Sequence, residues 1–269
     1  MAQNIPTIRG SFQVALPSYQ NNGDPSPSVS ASGESTRAMD PPKFAQSVQP
    51  NIWAATGTTW LTTIPPNTTA IDVERIAAED TFAHRNEGDV VRAAALHLLH
   101  PVHQAFSARN GIGNTYRCQS EFTHQKVRGD ITYYKNTQQG PRQCAVIEFK
   151  KRGSIRPTEF LAAVKCNQPP SAQQTQNFVQ AAYASRNTDY TFFTDNSRIL
   201  IKQAASYAVA HQIRCVALFD YDFLVFVEFN NVTANAVGDY CETTIIPVAN
   251  NTIVRPALLA FLAHAYNQF

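Results

Sequence analysis

The sequence predicts an α/β fold: a central mixed β-sheet flanked by helices. Three observations predict it. Segments with apolar residues at helical spacing alternate with short runs rich in β-branched and aromatic residues. These segments follow the order helix, three strands, helices, two strands, helix. With 269 residues, 43% of them apolar, the chain can bury one sizeable core.

Residues 1–50 are expected to be a disordered Pro/Ser-rich leader. They hold seven of the sixteen prolines, and such composition buries too little apolar surface to offset chain entropy. Residues 51–269 are then a single α/β domain. Its first stretch, Asn51 to Pro66 with Trp53 and Trp60, is expected to pack as an N-terminal cover. Helical spacing predicts a helix over 70–83. A second runs from Glu87 or Gly88 to His100, where Pro101 ends it. Strands are expected at 114–123, 128–135 and 143–151, the last two joined as an antiparallel hairpin by Asn136 to Pro141. Helices follow at 157–164, 171–185 and 197–211. Strands at 213–219 and 223–229 flank the turn at Asp220-Tyr221-Asp222, and a final helix covers 255–266.

No apolar run reaches the roughly 18–20 residues a membrane span needs. The first residues lack the basic-then-apolar pattern of a secretory signal. The five cysteines are odd in number, widely spaced and without a CxxC pair, which reads as free thiols in a reducing compartment. The expected location is therefore intracellular, cytoplasmic or nuclear, with no membrane partner.

Net charge is only +2, yet Arg117 to Lys165 contains ten Lys or Arg against four Asp or Glu, a local +6. An anionic polymer suits such a surface. Within this stretch lie Asp130 and then Glu148-Phe149-Lys150. Alternation along a strand puts Val146, Glu148 and Lys150 on one face and the apolar Ala145, Ile147 and Phe149 on the other. Glu148 and Lys150 thus project together, about 7 Å apart along the strand. Two carboxylates can hold a hard cation while an ammonium steadies a water or a phosphate. The acidic start of the second helix, Glu87, offers a third carboxylate, or serves the helix dipole. Glu74, Glu79 and Asp89 compete for that role.

Asp, a spacer, then Glu-x-Lys on neighbouring strands after an acid-bearing helix resembles the restriction-endonuclease-like PD-(D/E)xK nuclease superfamily. The resemblance runs over about Glu87 to Phe229. Gln203-Ala204-Ala205-Ser206-Tyr207, on a later helix, resembles the Gln-x-x-x-Tyr motif of the RecB-like branch. The arrangement is also similar to nuclease-like domains of fungal and other eukaryotic proteins, including the crinkler type. The resemblance implies a restriction-endonuclease-like core and hydrolysis of nucleic acid phosphodiesters, with DNA favoured and Mg²⁺ or Mn²⁺ as cofactor. It implies metal ligation by Asp130, Glu148 and Glu87, catalysis by these with Lys150, and substrate contacts from Gln203 and Tyr207. Lys151, Arg152 and Arg128, with Lys126 and Arg156, are candidates to grip the backbone, and Tyr133 or Tyr134 to stack on bases. Oligomeric state stays open; a homodimer is one option, since cutting two strands often needs two sites. The alternative is a catalytically inactive module of this fold that binds nucleic acid or a protein partner.

Other patterns carry less. His97, His100 and His103 drift around a helix and are not expected to converge on zinc. Gly111-Ile112-Gly113 lacks the third glycine of a dinucleotide fingerprint. Cys118 and His124 share one short strand region, which disfavours thiol catalysis.

Overall fold

The computed structural model describes residues 6–29, 34–76, 83–109, 112, 115–124 and 127–268. It is an α/β sandwich around an eight-stranded mixed sheet. The strands are β1 (Phe44–Ser47), β2 (Tyr116–His124), β3 (Val127–Thr137), β4 (Gly140–Phe149), β5 (Val164–Cys166), β6 (Cys215–Phe219), β7 (Phe223–Phe229) and β8 (Tyr240–Pro247). Their order is β2-β3-β4-β6-β7-β8-β1-β5. β2, β3 and β4 form an antiparallel meander, and β4 then runs parallel to β6. β6, β7 and β8 are antiparallel, whereas β1 and β5 add in parallel at the far side.

The two faces of the sheet bury two separate apolar layers. Ala145, Ile147 and Phe149 of β4 join Ala217, Phe219 and Phe226 under α1 (Pro50–Thr62), α2 (Glu87–Ala94), α3 (His100–Ser107) and α7 (Val254–Asn267). Val146, Val216, Leu218 and Val225 face α4 (Pro157–Ala163) and α6 (Asp195–His211). α5 (Ala172–Ala184) packs beside β1, its Phe178 ring edge-on to Phe44 at 5.0 Å. Both faces being covered explains the near-continuous apolar runs of β4, β6 and β7. No helix among the described residues is long and apolar enough to cross a membrane.

Several described residues of the leader expected to be disordered are instead part of this core. Ile8, Phe12 and Leu16 are buried in the first layer, and Phe44–Ser47 pairs with β8. A few apolar residues spread through a polar segment are sufficient because the domain already supplies the surface that receives them. The cover segment is the helix α1, and at Gly57 its backbone meets α7 so closely that a Cβ would lie 1.8 Å from the Pro256 carbonyl.

Two helix expectations differ from the structure. In place of a helix over 70–83 there is a short turn, Thr69–Asp72, and a strand Ala83–His84; residues 77–82 lie outside the described set. The helix beginning at Glu87 does not stop at Pro101. It passes through a π-helical turn, Ala95–Leu99, and continues as α3. Proline lacks the N–H that would bond the His97 carbonyl four residues back. The buried Arg255 replaces it, its Nε donating to His97 O at 2.6 Å while Nη1 donates to Ser11 O and Val14 O. Three strands of the eight-stranded sheet were also not foreseen: β1, β5 and β8.

Candidate active site

Glu148 and Lys150 stand at the C-terminal end of β4, on the face that meets α6. β3 and β4 keep their ladder from Thr137↔Gly140 to Ile131↔Ile147. Past that pair the carboxylate of Asp130 takes over: its Oδ2 accepts the backbone N–H of Phe149 at 2.8 Å. A side chain thus occupies the place of a ladder carbonyl, and the two strands part around it. On the other edge Lys150 N still donates to Phe219 O of β6 at 2.9 Å, so β4 stays fixed where it leaves β3.

Glu148 is only 4% exposed. Its Oε1 accepts Lys150 Nζ at 2.5 Å and Gln203 Nε2 at 2.7 Å. The same Gln203 nitrogen donates to the Tyr207 hydroxyl at 2.7 Å. Gln203 and Tyr207 sit one turn apart on α6, between apolar residues Ala204, Ala205 and Ala208 that press the helix to the sheet. α6 is aimed at both ends: Ser197 N donates to Glu159 Oε2, and Gln212 closes the helix in the left-handed region at φ 54°.

Burial pushes the Glu148 carboxyl up to about 7; Lys150 pulls it back, Asp130 pushes it further, and the Tyr207 hydroxyl steadies its charge. Burial alone would drag Lys150 down, but Glu148, Glu87 and Asp130 outweigh it and hold the ammonium above its ordinary range. These neighbours favour the charged form of Lys150. Burial, with the Glu148 charge behind it, also keeps the Tyr207 phenol protonated. The second oxygen of Glu148, Oε2, is buried and no donor reaches it with hydrogen-bond geometry.

Asp130, Glu148, Lys150, Gln203 and Tyr207 thus form one group, and the charge of Glu87 reaches it through Lys150. Among the candidates for the helix acid, Glu87 is the one whose charge raises the Lys150 pKa in the described set. Asp89 is committed to the α2 N-terminus, its Oδ2 accepting Arg85 N and Asn86 N while Asn86 Oδ1 accepts Asp89 N. Glu79 lies outside the described residues. Thr132 was missed from sequence. It is register partner to Val146, hence on the Glu148 face, and its buried hydroxyl has no hydrogen-bond partner. Its position two residues after Asp130 was the available signal.

The proposed backbone grip is dispersed. Arg152 Nε donates to Asp222 Oδ1 at 2.8 Å and Nη1 bonds the Tyr19 carbonyl, so it clamps the leader to the β6–β7 turn rather than facing outward. Arg156 binds Glu159 and the carbonyls of Ser26 and Pro27. Lys151 is exposed. The side chain of Arg128 and all of Lys126 lie outside the described residues. Tyr133 is buried, its hydroxyl 2.9 Å from His103 Nε2, and Tyr134 is half-buried. The histidine series stays apart: His97 Nε2 meets Tyr19 OH at 2.8 Å, whereas His103 faces Tyr133 and Cys118.

No family model matches the chain, and no curated protein or solved structure matches it either. The geometry alone carries the functional argument.

Proposed function

We propose that the chain is a metal-dependent nuclease that hydrolyses phosphodiester bonds, DNA being the favoured substrate. One observation carries this reading. Glu148 is buried beside a lysine, and its Oε2 has no donor. A buried carboxylate oxygen left unpaired is costly. A divalent cation is the partner that fits, because hard cations take carboxylate oxygens and Asp130 stands on the adjoining strand. Glu148 and Asp130 would hold it, with Glu87 adding negative charge nearby.

Such an ion lowers the pKa of a bound water and offsets charge on the phosphate. The chain's own groups do the rest. Phe149 N–H fixes the Asp130 carboxylate where the strands part. Gln203 ties Glu148 Oε1 to α6, so the rotamer of Glu148 is set before any substrate arrives. Lys150, kept cationic by its acidic neighbours, supplies a fixed positive charge for the attacking water or the phosphate oxygens. Tyr207, protonated and bonded to Gln203, holds the amide in its orientation.

The test is incubation of purified protein with DNA and with RNA in Mg²⁺ or Mn²⁺, alongside Glu148→Gln and Lys150→Ala. The reading expects metal-dependent cleavage that each substitution lowers by about 100-fold or more. Cleavage unchanged in both variants rejects it. Salt-sensitive binding without turnover points instead to an inactive module of the same fold.

A further inference from the structure

On the other face of the sheet, and toward its other end, a second group of side chains is arranged to hold a different cation. Cys215 opens β6 and Glu228 stands directly opposite on β7, so both point to the same face. That face lies under α7, whose last turn brings His264, and Gln268 one turn on, over the pair. Cys215 is fully buried and Glu228 nearly so, while the His264 side chain is 42% exposed and forms the open side. The Cys215 Sγ, a Glu228 oxygen and a His264 nitrogen lie within 4.8 Å of one another.

One close contact in this group has no consistent hydrogen-bond assignment. His264 Nε2 is 2.9 Å from Glu228 Oε2 and 2.9 Å from Gln268 Nε2. The carboxylate needs a proton on that nitrogen, whereas the amide NH₂ needs its lone pair. Rotating the Gln268 amide only moves the conflict, since it sets oxygen against Glu228 Oε1, now 2.9 Å from Nε2. A cation between Sγ, Oε2 and Nε2 would take up a lone pair from each, and the Gln268 amide would keep Glu228 Oε1 as its acceptor.

We propose that Cys215, Glu228 and His264 bind a zinc ion. Thiolate, imidazole and carboxylate together form a tetrahedral zinc donor set, and the sulfur excludes Mg²⁺ and Ca²⁺. The exposed side of His264 leaves room for water as fourth ligand. Arg214 Nη2 and Gln268 Nε2 hold Glu228 Oε1 at 3.2 and 2.9 Å, which leaves Oε2 for the ion. Trp53 packs edge-on against His264 with centroids 5.4 Å apart and restrains its ring. Binding releases the Cys215 thiol proton to solvent, and thiolate plus carboxylate balance the two positive charges. The ion fastens the end of α7 to β6 and β7.

Metal-stripped protein is titrated with zinc chloride against a chromogenic chelator, and with Co²⁺ followed by absorption. The expected result is one submicromolar zinc per chain, weakened about 100-fold or more by His264→Ala. A thiolate-to-cobalt charge-transfer band should be present in wild type and absent in Cys215→Ser. Glu148→Gln and Cys118→Ser should leave both signals intact. The half-exposed His264 provides a variant that does not depend on core packing at Cys215. Absence of stoichiometric zinc, equal affinity in His264→Ala, or a cobalt band lost in Cys118→Ser overturns the proposal.

Discussion

Asp130 Oδ2 accepts the backbone N–H of Phe149, so an acidic side chain stands where β3 would otherwise continue its pairing with β4. The same carboxylate therefore has two consequences. It ends the ladder, and it brings negative charge to the strand end that carries Glu148 and Lys150. These consequences separate in mutants. Asp130→Asn keeps an acceptor for Phe149 N–H and loses the charge; Asp130→Ala loses both. Urea denaturation should find the alanine variant about 1–2 kcal/mol less stable than the asparagine one. Cleavage should be lost in both. Equal stability of the two would show that the hydrogen bond does not hold the strand end.

Gln203 joins Glu148 Oε1 to Tyr207 OH through one amide nitrogen. Gln203→Leu preserves bulk and removes both bonds. Glu148 then keeps Lys150 and the Tyr207 hydroxyl but loses its tie to the Gln203 amide, and its rotamer loosens. We expect turnover to fall about 10- to 100-fold with a smaller change in substrate KM, because the residue acts through Glu148. Steady-state kinetics at saturating Mn²⁺ checks this split.

Arg255 carries the load that Pro101 creates. Without its guanidinium, the carbonyl of His97 loses the donor that replaces the proline N–H, Val14 O loses its guanidinium partner, and Ser11 O keeps only the backbone N–H of Val14. Arg255→Met should cost about 3 kcal/mol or more by equilibrium denaturation. Pro101→Ala restores a backbone N–H for His97 O and should partly rescue the double variant. No rescue would mean that Arg255 matters only through Ser11 and Val14.

Gly57→Ala tests the crossing of α1 and α7. Its new Cβ cannot coexist with the Pro256 carbonyl at 1.8 Å, so the helices must separate. A loss of about 2–3 kcal/mol is expected, despite the better helix propensity of alanine. A stabilised variant would contradict this packing.

Acid sensitivity has a definite sign at His103. Burial, with the charge of His100 adding to it, lowers its pKa from 6.5 to about 4. As pH falls through 6.5 the unfolded chain takes a proton that the native state refuses until about 4. His103 thus removes stability progressively across that window. Glu148 and Asp220, each pushed up to about 7 by burial, act in the opposite sense over an overlapping range. The histidine contribution is therefore read as a difference. His103→Leu should gain melting temperature relative to wild type at pH 4.5 compared with pH 7.5. An offset independent of pH would refute the assignment.

Much of the candidate site was legible because it depends on local periodicity. Alternation placed Glu148 and Lys150 on one face, a short turn placed Asp130 on the next strand, and four-residue spacing aligned Gln203 with Tyr207. What escaped depends on distant partners. Phe44–Ser47 becomes a strand only because Tyr240–Cys241 and their successors offer an edge some two hundred residues away. Pro101 fails to end its helix because Arg255 replaces the missing donor. Arg152 leaves the basic surface because Asp222, on a turn remote in sequence, binds it. The paired Gln268 and His264 gain meaning only when α7 lies over Cys215 and Glu228. No periodicity in a single segment encodes such meetings.

Anomalous diffraction from crystals soaked in Mn²⁺ tests the central claim most directly. The account predicts a peak about 2 Å from Glu148 Oε2, shared with Asp130 and lost in Glu148→Gln. Crystals that show manganese elsewhere, or none beside Glu148 at saturating metal, would contradict it.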